Sequence, residues 1–214
     1  MLFLLSGHIE IGKTRWLEAL VATLRAHDIE SFGVLAPGQW IKTSPKCTDT
    51  TNSDPEIEPY EKRGIDNILL PGERRIVFAY RNDLAPIELR NTCSQAQKAQ
   101  LRWLIQDSAI QEVNDHFATL ASATPCDYAP RLLVVDELGQ LELIFKKGLS
   151  EAVSLLEHAA PGQFSHAIVV VRDTLLEKAR EHFASSPWGD IEIISPDAEG
   201  ENRVFKAFGI NYEL

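Results

Sequence analysis

An eight-residue loop near the start of the chain constrains its fold more than any other feature. Residues 7–14 read Gly-His-Ile-Glu-Ile-Gly-Lys-Thr and match the pattern GxxxxGK[ST]. The apolar residues 2–5 precede the loop, and residues 14–27 follow it with apolar side chains at helical spacing: Leu17, Leu20, Val21 and Leu24. The sequence therefore predicts a strand, a tight loop and a helix in this order, which is the context that the pattern requires.

Such a loop, called a P-loop or Walker A sequence, is suited to binding phosphate. Its backbone N–H groups and the positive end of the following helix form a cradle for phosphate oxygens. We expect Lys13 to add a positive charge there and the Thr14 hydroxyl to face Mg²⁺. The predicted nucleotide-binding residues, for ATP or GTP, are Gly7, His8, Ile9, Glu10, Ile11, Gly12, Lys13, Thr14 and Arg15.

Glu10 is the unusual residue of this loop. It stands where many P-loops carry a glycine, at a position where small size and freedom of φ are useful. Its carboxylate would repel a γ phosphate lying within about 4 to 6 Å and would have little effect if it pointed to solvent.

A pair of carboxylates follows another apolar run. Asp136 and Glu137 directly follow residues 131–135. Ligands of open α/β sheets bind at the carboxyl ends of the strands. We expect Asp136 to hold Mg²⁺ together with Thr14, and Glu137 to polarise a water that attacks the γ phosphorus. The predicted catalytic residues are Glu137 and Lys13.

Arg172 also follows an apolar run, residues 167–171. Two interpretations stay open: Arg172 contacts a phosphate, or it forms a surface salt bridge. The four tryptophans are interpreted as packing residues, and none is assigned to a nucleotide base.

The pattern of apolar residues in the rest of the chain predicts an α/β fold. A second apolar run at residues 31–35 completes a β-α-β unit. Residues 65–69 and 75–80 predict two strands joined by a turn, forming a small antiparallel element beside the main sheet. Residues 94–121 contain no Gly or Pro and predict one long helix or two abutting helices.

The second half of the chain alternates strands with helices. Strands covered on both faces are predicted at 132–135 and 167–171, a last strand at 191–194, and helices at about 149–158 and 174–183. We therefore predict a doubly wound, three-layer α/β domain with a mainly parallel central sheet. One domain over residues 1–214 is expected, with a hairpin and loop insertion at about 37–83 that includes a polar, acidic stretch at 45–59.

Charge and composition narrow the function classes. The net charge of −10 disfavours a nucleic-acid partner, because such proteins need clustered Lys and Arg. The sequence has neither a secretory leader nor an apolar run of about 18 residues, so a soluble, cytoplasmic protein without membrane partners is expected. The three cysteines form no CxxC pair and the histidines show no ligand spacing, which predicts reduced thiols and no zinc site.

Several segments together resemble a family: the small P-loop nucleoside-triphosphatases first described from thermophiles, whose relatives include the human cancer-related nucleoside-triphosphatase. Residues 135–143, Val-Asp-Glu-Leu-Gly-Gln-Leu-Glu-Leu, are similar to the family's V-D-E-I-G-x-M-E-L. Weaker similarities, in the same order as in the family, are Gly33-Val-Leu-Ala-Pro37, Arg63-Gly64, Gly72-Glu73-Arg74 and Glu201-Asn202-Arg203.

The resemblance implies the P-loop NTPase fold and slow, Mg²⁺-dependent hydrolysis of ATP, GTP and other nucleoside triphosphates to diphosphate and phosphate. The chain departs from the family pattern at Glu10, where Gly is usual, at Arg15, where Thr is common, and at Ile65, where an aromatic residue is usual. The acidic insertion at 46–59 is a further departure.

Three functional hypotheses follow, in order of preference. The first is a nucleoside-triphosphatase, and the second is a nucleotide-binding accessory protein without turnover. The third is a small-molecule kinase in which part of residues 37–90 covers an acceptor with the help of arginines: Arg63, Arg74, Arg75 and Arg81. Base preference and oligomeric state are not indicated by the sequence.

Overall fold

A computed structural model describes residues 1–42, 60–90, 94–101, 103–123 and 129–210. The acidic stretch predicted at 45–59 and the three cysteines, Cys47, Cys93 and Cys126, lie outside the described residues. Within the described ranges, no helix has the length and apolar character needed to cross a membrane.

The described chain alternates strands and helices. In chain order the elements are β1 (Leu2–Leu5), α1 (Lys13–Ala26), β2 (Glu30–Leu35), β3 (Gly38–Lys42), β4 (Tyr60–Leu70), β5 (Arg74–Arg81), α2 (Ile87–Arg90), α3 (Gln95–Lys98), β6 (Trp103–Ile105), α4 (Asp107–Ser122), β7 (Arg131–Leu138), α5 (Gln140–Leu143), α6 (Ser150–His158), β8 (His166–Val171), a short 3₁₀ helix (Asp173–Leu175), α7 (Leu176–His182), β9 (Ile191–Ile194) and α8 (Ala198–Ala207).

These strands form one mixed sheet. In the described part of the chain the order is β6-β5-β4-β2-β7-β8-β1-β9, with β3 paired to β4. The half made of β2, β7, β8, β1 and β9 is parallel. The half made of β3, β4, β5 and β6 is antiparallel. The prediction of an α/β fold is confirmed.

Helices cover both faces of the parallel half. Leu2 and Leu4 of β1 share an apolar cluster with α4, α6 and α7. Phe3 and Leu5 alternate with them and pack with α1 and α8 in a second cluster. Because successive side chains of a strand point to opposite faces, a strand buried on both sides is a continuous apolar run.

Gly33 fits the centre of the sheet because it lacks a side chain. Its φ is +112°, and a Cβ atom there would lie 2.0 Å from the carbonyl oxygen of Val134 on β7. Any other residue would push apart the two strands that carry the site described below.

Two predictions about the elements need correction. The predicted hairpin exists as β4 and β5, but it is not beside the main sheet, because β4 pairs antiparallel with β2 and continues the sheet. An uncovered β2 edge would leave unpaired backbone N–H and C=O groups, and β4 satisfies them.

The helix predicted over residues 94–121 is wrong in its first third. α3 ends after one turn, Gln100 takes a left-handed φ of 56°, and β6 then pairs with the edge of β5. The apolar spacing of this segment suits both a helix and a short strand, and pairing with β5 favours the strand.

Candidate functional site

The site lies where four neighbouring parallel strands end. In the register of the sheet, Leu5 of β1 pairs with Val170 of β8, and Val170 pairs with Asp136 of β7. The residues that follow β1 and β8 and the last residues of β7 therefore come together at one edge of the sheet. They are the loop at 7–14, Arg172 and the Asp136–Glu137 pair, as the sequence predicts.

The loop uses left-handed backbone conformations. Glu10 has a φ of 65° and Gly12 a φ of 95°. Gly12 is the N-cap of α1 and provides no side-chain hydrogen bond to the helix. The first N–H groups of a helix are partial positive charges, so this end of α1 is chemically suited to an anion.

Lys13 is held inside the loop by two main-chain oxygens. Its Nζ donates to the carbonyl oxygens of Gly7 at 2.6 Å and His8 at 2.8 Å, and the residue is 9% exposed. Burial lowers the pKa of Lys13, whereas the nearby carboxylates of Glu137 and Asp173 act in the opposite direction. The ammonium group is thus fixed in a position set by the loop.

Asp136 is buried and linked to the end of β2 and to the start of α1. Its Oδ2 accepts a hydrogen bond from the backbone N of Ala36 at 2.9 Å, and its Oδ1 accepts one from Thr14 Oγ1 at 3.3 Å. Burial raises the pKa of Asp136 from 3.8 to about 6, and the neighbouring Glu137 adds to this rise.

The Thr14 and Asp136 oxygens fit the predicted Mg²⁺ site. Both are hard oxygen ligands, and Mg²⁺ in phosphate sites is usually held by one or two protein carboxylates together with substrate oxygens and waters. Within the described residues, no group of three or more His, Cys, Asp or Glu side chains is arranged to hold a metal ion.

Glu137 and Arg172 form an ion pair at the edge of the site. Arg172 Nε donates to Glu137 Oε1 at 2.6 Å, and the two side chains are 42% and 33% exposed. The salt bridge considered for Arg172 is thus present, and its partner is the predicted catalytic carboxylate. A guanidinium has five N–H donors, so four others can serve a further acceptor.

The remaining loop residues point outward. His8 Nδ1 lies 3.0 Å from Asp173 Oδ2, which links the loop to the end of β8. Glu10 is exposed and lines the wall of a cavity. A non-glycine residue can adopt the left-handed conformation of Glu10 at a modest steric cost, so the loop accommodates a glutamate at this position.

The cavity, of about 600 Å³, extends from Thr14 and Asp136 to the antiparallel half of the sheet. Sequence reasoning did not predict most of its lining. Lys62 of β4 is one example: burial lowers the pKa of Lys62, and the carboxylates of Glu137, Asp136 and Glu10 act in the opposite direction. Its place depends on the pairing of β4 with β3 and β5, which no local pattern specifies.

The four arginines considered for an acceptor do not act together. Arg81 lines the cavity and binds Asp83, with Nε 2.6 Å from Oδ1. Arg75 binds Asp66 at 2.8 Å, Arg74 pairs with Glu112, and Arg63 is exposed. Among these four described residues, Arg81 alone lines the cavity, and the acceptor role considered for them stays a prediction.

Comparisons with family models, with curated proteins and with solved structures gave no match to this chain.

Proposed function

We propose that the protein is a nucleoside-triphosphatase with a three-layer P-loop NTPase fold. It binds ATP or GTP with Mg²⁺ and hydrolyses the nucleotide to diphosphate and phosphate. The observation that carries this proposal is the contact between Thr14 Oγ1 and Asp136 Oδ1 at 3.3 Å, which joins residues 122 positions apart. It brings the GxxxxGK[ST] loop and the carboxylate strand into one site. The resemblance to the small P-loop nucleoside-triphosphatases supports the same function.

The loop binds the phosphates of the nucleotide. Its backbone N–H groups and the start of α1 attract the phosphate oxygens, and Lys13 adds a charge whose position is fixed by Gly7 and His8. Thr14 and Asp136 would hold Mg²⁺, which would supply positive charge that offsets the negative charge of the phosphates.

Glu137 and Arg172 serve the chemical step. The Glu137 carboxylate orients a water and accepts its proton while the water oxygen bonds to the γ phosphorus. The bond from the γ phosphorus to the bridging oxygen breaks, and the diphosphate leaves. Arg172 orients the Glu137 carboxylate through the hydrogen bond from Nε to Oε1, and its other N–H donors can stabilise charge on the γ phosphoryl oxygens.

Release of phosphate from ATP and from GTP, measured with Mg²⁺ and with EDTA, tests the proposal. Release that needs Mg²⁺ and is lost in Lys13→Ala is the expected result. Tight nucleotide binding without release would instead identify a nucleotide-binding protein without turnover. No binding of either nucleotide by calorimetry would remove the P-loop assignment.

A further inference from the structure

The cavity beside the Asp136–Glu137 pair is larger than hydrolysis requires. Part of its volume of about 600 Å³ belongs to the phosphate site, because Glu10 and Thr14 line it, but the cavity also extends along β3 to β6 and lies within the range of pockets that hold whole small molecules. One wall is formed by β3 to β6 and the other by residues 139–141 at the start of α5. Its inner end reaches Asp136 and Glu137, where a γ phosphoryl group would react.

Asn67 of β4 carries a buried hydrogen-bond acceptor without a partner beside this cavity. Asn67 is 1% exposed and lines the cavity, and its Oδ1 has no hydrogen-bond partner among the described residues. Buried polar atoms in folded proteins are nearly always hydrogen-bonded, so an acceptor of this kind calls for an N–H or O–H group. The adjacent Asp66 differs, because it pairs with Arg75.

Aromatic side chains determine the shape of the occupant. Trp40, Phe78 and Trp103 line the same cavity, and Lys62 Nζ lies 5.5 Å from the Trp103 ring centroid. Aromatic walls favour a flat ring, which stacks on them or packs against their edges. The molecule is therefore expected to contain a planar ring.

The charge balance favours a neutral occupant. The described lining carries five carboxylates and three basic side chains. Two of these basic groups are already paired, Arg81 with Asp83 and Arg172 with Glu137. A second anionic ligand beside the triphosphate would add to this negative charge, whereas a neutral one would not.

We propose that the cavity binds a neutral nucleoside, which accepts the γ phosphoryl group in place of water. The planar base donates an N–H to Asn67 and packs against the tryptophans, and a sugar hydroxyl points to Glu137. The hydroxyl oxygen bonds to the γ phosphorus, the bond to the bridging oxygen breaks, and the hydroxyl proton passes to Glu137. The products are a nucleoside monophosphate and a nucleoside diphosphate, and hydrolysis is the slower reaction when water replaces the nucleoside. This inference rests on the proposed triphosphate site.

The test uses the full chain with Mg²⁺ and ATP labelled in the γ phosphate. Adenosine, guanosine, cytidine, uridine and thymidine are added separately, and labelled monophosphate is separated from labelled phosphate. At least one nucleoside should take up the label faster than water does. Saturation-transfer NMR with a non-hydrolysable ATP analogue measures nucleoside binding independently of turnover.

Two variants connect the reaction to the cavity. Asn67→Leu keeps the approximate size and removes the acceptor, so the KM for the nucleoside should rise about tenfold while the KM for ATP does not. Trp40→Leu changes a residue that is 41% exposed, so folding is preserved while a wall of the cavity is lost. Gln111→Leu, an exposed amide on α4, is the matched control and should leave both KM values unchanged.

The outcomes separate this inference from the proposed function. Phosphate release without labelled monophosphate from any of the five nucleosides would overturn the acceptor site and leave the nucleoside-triphosphatase intact. Nucleoside binding without transfer would also overturn it, as would transfer that neither Asn67→Leu nor Trp40→Leu affects. Failure to bind ATP would instead refute the proposed function.

Discussion

At the scale of single residues, Lys13 is held by main-chain oxygens of the phosphate loop. Its two carbonyl contacts place the ammonium group inside the loop before any anion binds. We predict that Lys13→Ala weakens ATP binding by at least about tenfold, because charge-assisted hydrogen bonds contribute about 1.5 to 3 kcal/mol each. Titration calorimetry with Mg²⁺ and ATP measures the effect. Lys147→Ala, an exposed lysine, is the control, and equal affinities of the two variants would contradict the role of Lys13.

Asp136 and Glu137 are neighbours with different tasks, so their variants should fail differently. Asp136→Asn should lower ATP affinity in the presence of Mg²⁺ and change it little in EDTA, because an amide is a poorer ligand for a hard cation than a carboxylate. Titrations under both conditions measure this difference. If the unmodified protein binds ATP equally well with and without Mg²⁺, the metal is not held by Asp136.

Glu137→Gln should leave ATP binding intact and reduce phosphate release by about 10²- to 10⁴-fold, the usual contribution of a general base. Glutamine retains an oxygen that can accept the hydrogen bond from Arg172 Nε, and exposed ion pairs contribute only about 0 to 1 kcal/mol to stability. The melting temperature should therefore change little. Affinity, melting temperature and phosphate release are measured on one sample, with Arg172→Met as the stability comparison. Undiminished hydrolysis would show that the water is activated by another group.

The residues near the phosphate loop were predictable, whereas those of the cavity were not. Lys13, Thr14, Asp136 and Glu137 stand in short motifs next to apolar runs, so local sequence is sufficient to identify them. Asn67 has no such signal. It lines the cavity because β4 pairs with β2 and β5, and that pairing depends on distant segments.

At the scale of elements, the turn after β7 depends on one buried carboxylate. Glu142 Oε2 accepts from the backbone N of Gly139 at 2.8 Å, and Oε1 accepts from the N of Leu149 at 3.0 Å. Burial raises the pKa of Glu142, while these two bonds oppose that rise. The carboxylate thus joins the start of α5 to the start of α6, next to the site.

Removing this carboxylate should destabilise the turn. We predict that Glu142→Ala lowers the free energy of unfolding by about 3 kcal/mol, because the buried N–H of Leu149 and the partly buried N–H of Gly139 lose a charged acceptor. Glu142→Gln should lie between, since its amide can accept only with one oxygen. Urea unfolding measures both, and Glu151→Ala, an exposed acid in the first turn of α6, should be nearly neutral. A change below about 0.5 kcal/mol in Glu142→Ala would contradict this role.

The elements themselves were predictable to different degrees. The apolar pattern at 191–194 matches a strand alone, and the pattern over about 149–158 matches a helix alone. The structure has β9 and α6 at these positions. β6 was missed, because Leu101, Leu104 and Ile105 are spaced as in a helix. The segment is a strand because it pairs with the open edge of β5. Local periodicity carries no information about such long-range pairing.

At the scale of the whole molecule, strand order assembles the site. β8 lies between β1 and β7, so the loop and the two carboxylates are one strand apart and Arg172 lies between them. The sequence indicates which segments are strands but not their order in the sheet. The predicted residues come together because all four strand ends point to the same edge.

The buried carboxylate of Asp136 also influences the stability of the whole chain. Burial raises its pKa from 3.8 to about 6, so between these values the native state keeps a proton that the unfolded state has lost. Stability therefore decreases as the pH rises through this window and remains lower above it. A rise of this size in pKa corresponds to about 3 kcal/mol.

The difference between Asp136→Asn and the unmodified protein isolates this effect. Burial lowers the pKa of His116, His166 and His182, which makes stability fall with decreasing pH, but these histidines are present in both proteins. In EDTA and without nucleotide, we predict that the stability of Asp136→Asn relative to the unmodified protein increases by about 3 kcal/mol between about pH 4 and pH 7. Urea unfolding across this range measures the difference, and Asp28→Asn, an exposed aspartate, should show almost none. A difference that stays constant with pH would mean that the Asp136 carboxyl group titrates alike in the folded and unfolded chain, because the hydrogen bonds from Ala36 and Thr14 fully offset its burial.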